Sequence, residues 1–492
     1  MFDFFRTGHI AFVHLFYINL VLSIVIVFFQ RREPRAVWTW LLALNFLPVV
    51  GIILYLLIGQ DYRKSKMFKI KNVEDSISKA AIKQEKFFAN NDRVLNDPYT
   101  KKYQRQMQYN LISGGSLMTM KNTLKIFNDG NDKFDALIED IKNAKEYIHL
   151  QYYIIKNDYL FRNISRELIK KADEGVEVRV LFDGMGGRFM SKKLLDNMKA
   201  HKIKIGVFFP AALGKINFRI NYRNHRKIAV IDGKIGYVGG FNIGKEYVDG
   251  SKKFGHWRDT HLRIVGEAVN GLELRFGLDW NYATKEDIFN SDKYFKPLEE
   301  MNILPKNGDD VLRMQIISSG PDSETKLIRD NYIEIINNAK DHVYIHTPYF
   351  IPDEAFMSAL NVAARSGVDV RLMIPCMPDH PFVYSATLSW AGTLLEAGGK
   401  VYTYERGFLH AKSVMADGKV ACVGTANMDI RSFELNFEVN AMIYDEEVTT
   451  ELEDNFMRDI YDSEEYTFDM YKNRSLLQRI KEQVSRLLSP LL

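Results

Sequence analysis

Cysteine is almost absent: Cys376 and Cys422 are the only two in 492 residues. So low a count excludes a disulfide framework, and Cys422 lies in an apolar, strand-like run where a buried free thiol is expected. Charge of one sign is missing too. The formal net charge is +4, too mild to mark a nucleic-acid protein, and no stripe of basic and aromatic residues supplies a nuclease footprint. No carboxylate cluster accompanies the histidines, which argues against a divalent-metal site. The first apolar run also lacks a small-x-small cleavage site, so it is expected to be retained.

What is present is unevenly placed. Ile10 to Phe29 is nearly unbroken hydrocarbon, and a second run extends from Ala36 to Gly59, with Arg31, Arg32, Glu33, Pro34 and Arg35 between them. At about 1.5 Å per residue, roughly 20 residues cross a ~30 Å bilayer core. The spacing predicts a two-helix transmembrane hairpin over residues 1–60, in a multi-pass protein of the cell membrane. The N-terminus and everything after Asp61 then share one side. That side carries Arg6, Arg63, Lys64, Lys66, Lys69 and Lys71, which makes it cytoplasmic by the positive-inside rule.

Residues 61–109 are charged, with scattered apolar positions, and read as a juxtamembrane connector. Thereafter the chain repeats itself. Glu146-Tyr-Ile-His-Leu-Gln-Tyr-Tyr153 is matched by His342-Val-Tyr-Ile-His-Thr-Pro-Tyr349, and Gly175-Val-Glu-Val-Arg-Val-Leu181 by Gly367-Val-Asp-Val-Arg-Leu-Met373. So long a period means duplicated domains, since solenoid units run to about 20–50 residues. Helical stretches such as Lys133–Ala144 and Glu354–Ser366 alternate with short β-branched runs, which predicts α/β architecture with sheets flanked by helices. The expected domains cover 110–300 and 301–472 and pack about a pseudo-two-fold axis. A C-terminal amphipathic helix is expected over 473–492. Leu476, Leu477, Ile480, Val484, Leu487 and Leu488 fall on one face of it, and Arg474, Arg479, Lys481 and Arg486 largely elsewhere. That pattern suits either an anionic lipid surface or docking on the domain. Val207 to Leu213, with Lys215, Phe218, Arg219 and Arg223, is a second mixed apolar and basic segment suited to lipid.

Within the repeat one string occurs twice, 185 residues apart: His225-Arg226-Lys227 with Asp232, and His410-Ala411-Lys412 with Asp417. Both read H-x-K-x4-D. Each is followed by a small-residue turn, Gly239-Gly240-Phe241-Asn242 or Gly424-Thr425-Ala426-Asn427. The candidate catalytic set is therefore His225, Lys227, Asp232, His410, Lys412 and Asp417, with Asn242 and Asn427 as phosphate-binding residues. Residues two apart in a strand face the same way, so each His projects with its Lys. Asp232-Gly233 and Asp417-Gly418 are turn dipeptides, and their carboxylates read as structural support. Two imidazoles, two ammonium groups and two amides suit a phosphodiester, whose transition state such preorganised charge stabilises. One neutral His attacks phosphorus while a protonated one donates to the leaving alkoxide; the motif does not say which is which. Aligning the halves downstream makes Asp259 and Glu438 equivalent carboxylates, expected to hold Nδ1 of His225 and His410 respectively.

These residues resemble the phospholipase D superfamily, whose signature is H-x-K-x4-D followed by G-[SG]-x-N, twice per active site. The likeness runs from roughly Asn122 to Tyr461. With its apolar N-terminus the chain is similar to the bacterial cardiolipin synthases of that superfamily; Arg32 to Trp38 leading into Leu47 to Ile53, and Ser432 to Glu438, carry this closer likeness. The resemblance implies transfer of a phosphatidyl group from one phosphatidylglycerol to the hydroxyl of another, releasing glycerol through a phosphohistidine, with no cofactor and no metal. It implies His225 as nucleophile and His410 as acid and base, with Lys227, Lys412, Asn242 and Asn427 on the phosphate. The expected partners are phosphatidylglycerol and anionic membrane lipid, not nucleic acid; oligomeric state is undefined. Phospholipase hydrolysis or phosphatidylserine synthesis at the same site, or an inert membrane scaffold, are the alternatives. Gly240 and Thr425 depart from the Ser that many members carry, which removes a hydroxyl contact at position 240.

Overall fold

The structure, a computed structural model, describes residues 2–29, 34–58, 82, 84, 98–188, 190–210, 221–251, 253–289, 293–294, 312–487 and 489. Most of the 61–109 connector lies outside the described residues, as does the apolar and basic segment from 211 to 220.

Among the described residues the N-terminal region holds α1 (Phe2–Ile24), continued by a π-helical segment over Val25–Phe29, then α2 (Pro34–Phe46) and α3 (Pro48–Ile58). The second apolar run is not one straight helix. Pro48 has no N–H to continue α2, and the chain folds back at Phe46-Leu47. The Trp40 and Tyr55 rings consequently sit 5.4 Å apart, where an unbroken helix would separate them by about 22 Å. Gly51 permits the close crossing, because a Cβ there would lie 2.4 Å from the Ala43 carbonyl oxygen. With 13 and 11 residues, α2 and α3 each fall short of a bilayer core. Among the described residues no helix is long and apolar enough to cross a membrane; where the sequence predicts a second spanning helix, the structure has the folded pair α2–α3. Ile26, Trp40, Leu44 and Tyr55 bury a small cluster, while Trp38, Leu42, Phe46, Val49 and Ile53 stay exposed.

The body is two α/β halves with the same strand order. The first sheet runs Asn122–Phe127, His261–Gly266, Ile235–Gly239, Ile228–Ile231, Tyr147–Tyr152, Glu177–Asp183, Lys204–Phe208. The second runs Arg313–Ser319, Asn436–Tyr444, Val420–Gly424, Ser413–Ala416, His342–His346, Asp369–Pro375, Lys400–Tyr404, and adds Ser463–Glu465 at its edge. In each, the three strands nearest the Lys204–Phe208 or Lys400–Tyr404 position pair in parallel and the others antiparallel. Tyr147–Tyr152 is buried at every position, as a strand covered on both faces must be. Four further helices matter below: α4 (Val269–Thr284), α5 (Pro381–Glu396), α6 (Glu446–Tyr461) and α7 (Leu476–Leu487). Leu272 and Phe276 of α4, Phe456 of α6, and Ile316, Phe437 and Val439 share one buried cluster. The two halves are thus joined by a common core, with Phe134 and Phe161 in a separate outer core of the first half and Phe356 and Leu360 in that of the second.

The motif hairpins turn as their sequences require. Asp232 and Gly233 have φ of 53° and 63°, and Asp417 and Gly418 have 56° and 62°, the paired left-handed conformation of a type I′ turn. The Asp232 carboxylate accepts the backbone N–H groups of Lys145, Glu146 and Tyr147 at 2.8, 2.7 and 2.9 Å. Asp417 does the same for Lys340, Asp341 and His342, and also pairs with Lys102 at 3.4 Å. Both aspartates therefore pin the start of the neighbouring strand, at the far end of the hairpin from the histidines, and leave the catalytic set. Asp232→Asn is expected to cost on the order of 1–3 kcal/mol of stability. A lower denaturation midpoint with unchanged turnover per folded molecule checks this.

Candidate active site

The site is built by two short strand additions that cross between the halves. Arg223–Asn224 of the first half pairs in parallel with Asn436–Phe437 of the second, and the His225 N–H then donates to the Phe437 carbonyl at 2.9 Å. Gly407–Leu409 of the second half pairs in parallel with His256–Arg258 of the first, and the His410 N–H donates to the Arg258 carbonyl at 2.7 Å. The motif strands proper start only at Ile228 and Ser413, so both histidines occupy extended connections just ahead of them.

This exchange decides which carboxylate each histidine meets. Glu438 follows Phe437, and Asp259 follows Arg258. His225 Nδ1 lies 3.0 Å from both Glu438 carboxylate oxygens, and His410 Nδ1 lies 2.6 Å from Asp259 Oδ2. The expected pairing of Asp259 with His225 and Glu438 with His410 is corrected: each carboxylate serves the histidine of the opposite half. Both carboxylates are wholly buried.

Each is held by further contacts. The Thr425 hydroxyl donates to Glu438 Oε2 at 2.6 Å. Asp259 Oδ1 accepts the Thr260 N–H at 2.7 Å. Position 240 has no room for a hydroxyl-bearing side chain, because a Cβ on Gly240 would lie 2.0 Å from Asp259 Oδ1. The carboxylate occupies that space. Behind them, Arg226 Nε donates to the Glu438 main-chain carbonyl at 3.2 Å and pairs with Asp279 of α4 at 2.5 Å. Arg258 donates to the Asp259 main-chain carbonyl at 2.5 Å and pairs with Asp459 of α6 at 2.7 Å. Sequence reasoning missed these two clamps. The signal available was that Asp279 and Asp459 are separated in the chain by almost the same interval as Asp259 and Glu438. The arginines themselves have no counterpart in the other copy, where Ala411 and Phe437 stand.

Of the remaining motif residues, the two lysines touch the histidines directly and the two asparagines are held by other neighbours. Lys227 Nζ donates to the His225 carbonyl at 2.6 Å, Lys412 Nζ donates to the His410 carbonyl, and both lysines are buried. Asn242 accepts the Ile154 N–H at 3.1 Å and donates to the Tyr247 hydroxyl at 2.9 Å. Asn427 donates to Asp429 at 3.2 Å and its carbonyl oxygen is buried without a partner. The Tyr153 ring lies 5.0 Å from His225, and Trp257 lies 5.7 Å from His410. His261 is buried against Phe241, and His256 is half-buried in the crossing strand; neither pairs with the two motif histidines.

Burial dominates the electrostatics. It pushes Lys227 down to about 7 and Lys412 down to about 8. It pushes His410 down to about 3, with Lys412 adding to the effect and Asp259 opposing it. His225 is lowered for the same reason, against the pull of Glu438. Lys412 also acts on His225, and Lys227 on His410, so the four groups share one site. Burial opposes ionisation of Glu438, but His225, Lys227 and the Thr425 hydroxyl outweigh it and its pKa is lowered. A site of this kind attracts an anion, and with each Nδ1 committed to a carboxylate, both Nε2 atoms are free for nucleophilic or proton-transfer chemistry.

Comparison with known proteins agrees with this geometry. The family model described as cardiolipin synthase, phospholipase D-like domain, matches residues 137–254 and 332–460, and the phospholipase D-nuclease N-terminal model matches 18–60. A cardiolipin synthase of Staphylococcus aureus (strain Mu50) is 49% identical over 489 residues, covering 98% of this chain and 96% of that protein. One from Listeria monocytogenes serotype 4a is 46% identical over 482 residues, covering 98% of each. The crystal structure of phosphatidylserine synthase from Haemophilus influenzae superposes with a TM-score of 0.60 at 15% identity, over 80% of this chain and 100% of that one, a likeness of fold alone. The duplicated sheets, the paired motif and the relatives at nearly full length agree, and the chain belongs to the cardiolipin synthase family of the phospholipase D superfamily.

Proposed function

We propose that the enzyme condenses two phosphatidylglycerol molecules to cardiolipin and glycerol. The carrying observation is the pair of imidazoles, each with Nδ1 held by a buried carboxylate of the opposite half, set among two buried lysines. His225 Nε2 attacks the phosphorus of the first lipid. The P–O bond to its glycerol breaks, and His410 Nε2 gives the departing oxygen its proton. A hydroxyl of the second lipid then attacks the phosphohistidine, His410 takes that proton, and the P–N bond to His225 breaks. Lys227 and Lys412, with the amides of Asn242 and Asn427, balance charge on the non-bridging oxygens. Burial, with Lys412 and Lys227 adding to it, holds His410 neutral in the empty site; the diester's negative charge and Asp259 work against that and favour the proton the first step needs.

A phospholipid substrate places the enzyme at a membrane. The exposed apolar residues of α1–α3 supply the anchor, and the short folded pair α2–α3 suits an interfacial or re-entrant segment. The basic residues from Arg63 to Lys71 favour the cytoplasmic side for the catalytic halves. The body is expected to divide near 110–300 and 301–472.

Incubating the purified chain with phosphatidylglycerol in detergent or liposomes tests the reaction. Cardiolipin and glycerol are expected in equal amounts; phosphatidic acid alone would replace the proposal by hydrolysis, and no turnover by a scaffold. His225→Ala and His410→Ala should each lower kcat by about 10²–10⁴-fold or more, and a fully active His410→Ala enzyme would sink the two-histidine mechanism.

Thr425→Val, which removes one hydrogen bond to the ionised Glu438, should lower kcat by about 10–100-fold with little change in KM. Restoration by Thr425→Ser separates that loss from a packing defect.

The pH dependence has a definite sign. His225 lies below its ordinary value of 6.5, so the nucleophile stays neutral on acidification and the acid limb of kcat/KM should fall below that pH. Lys227 at about 7 and Lys412 at about 8 lose charge as pH rises, so kcat/KM should decline above neutrality through a rising KM. A pH–rate profile with its acid limb above 6.5 would contradict this assignment.

A further inference from the structure

The last described helix is docked in the reverse of the usual sense. α7 turns polar residues inward: Glu482 and Ser485 are buried, and Glu482 pairs with Arg474 at 2.7 Å. Arg486 lies 3.9 Å above the Trp390 ring of α5 and donates to Thr393. The apolar side faces outward, with Leu477 77% and Leu487 81% exposed and Leu476, Ile480 and Val484 open beside them. An amphipathic helix on a water-facing domain buries its apolar stripe. Here docking uses up the polar side and leaves that stripe without a partner among the described residues.

Charge indicates what covers it. Arg479 and Lys481 are exposed along the helix, whereas its single acidic residue, Glu482, is buried and paired. The outward surface is therefore apolar and basic, complementary to an anionic bilayer. A second copy would set the same basic residues against each other. Position agrees. The contacts Arg486–Thr393 and Ser489–Trp390 run in opposite chain directions, so α7 points toward the start of α5. There Phe382 is exposed, and Asp379, just ahead of α5, accepts the Tyr349 hydroxyl and acts on Lys412 of the site.

We propose that α7 is an interfacial lipid-binding helix carried rigidly on the second half, whose apolar side enters the head-group and acyl boundary of an anionic bilayer. It seats the site-proximal end of α5 against the lipid. The proposal deepens the phospholipid reading and rests on it for its purpose.

The test uses the full chain in nanodiscs, with Cys376→Ser as background because Cys422 is buried. Leu477→Cys or Leu487→Cys carries a fluorophore, and the discs contain phosphatidylcholine with a spin label on its acyl chain. Roughly twofold or greater quenching is expected in discs containing phosphatidylglycerol, weakened by Lys481→Glu or by high salt, with little at a Lys145→Cys control. Absence of quenching at both α7 positions would overturn the proposal. So would shielding of the fluorophore from aqueous iodide that depends on protein concentration, which would assign the face to a second copy. Quenching is read without turnover, so its outcome is independent of whether cardiolipin is made.

Discussion

Everything in the site depends on a few residues of parallel strand pairing between the halves. Arg223–Asn224 lying along Asn436–Phe437, and Gly407–Leu409 along His256–Arg258, fix where each motif histidine sits. Backbone hydrogen bonds set the register, and register selects the residue that follows. That residue is the carboxylate. A histidine held this way meets its partner through two directional constraints, the main-chain bond and the Nδ1 contact, before any substrate arrives. The shared core of α4, α6 and the facing strands keeps those short pairings from separating.

The same seam makes the two histidines unlike despite the common fold. His225 faces a glutamate steadied by a threonine hydroxyl; His410 faces an aspartate packed over a glycine with a backbone N–H as its second donor. Both guanidinium clamps come from the first half, one at the variable position of its motif. Removal of one buried charge from such a clamp leaves the other unpaired, a larger penalty than the net worth of the pair. The pseudo-symmetry is therefore one of backbone, and the asymmetry needed for an acid and a nucleophile is carried by four or five side chains.

Much of this was legible from spacing. The duplicated offsets indicate two α/β halves, the Asp-Gly dipeptides indicate the hairpins, and alignment of the halves picks out Asp259 and Glu438 as matched carboxylates. What escaped has a physical reason in each case. A two-residue strand addition has no periodicity to detect, so spacing alone pairs Asp259 with His225 and Glu438 with His410, the reverse of what the crossed strands produce. Hydropathy is the same for a straight or a folded apolar run, and only Pro48 and Gly51 distinguish α2–α3 from one helix. Amphipathic spacing in α7 defines two faces without saying which is turned outward. The arginine clamps broke the repeat, and a search for repetition passes over what is not repeated.

The crossed pairing also has a consequence for the order in which the enzyme comes into being. Glu438 is synthesised 213 residues after the histidine it orients, and Asp259 waits 151 residues for its own. During translation the first half can collapse on its outer core while its His225 still lacks the carboxylate that aims it. Reactive geometry is assembled only when the second half closes against the first, so a nascent or truncated chain touching the bilayer holds the motif but not the means to cut lipid.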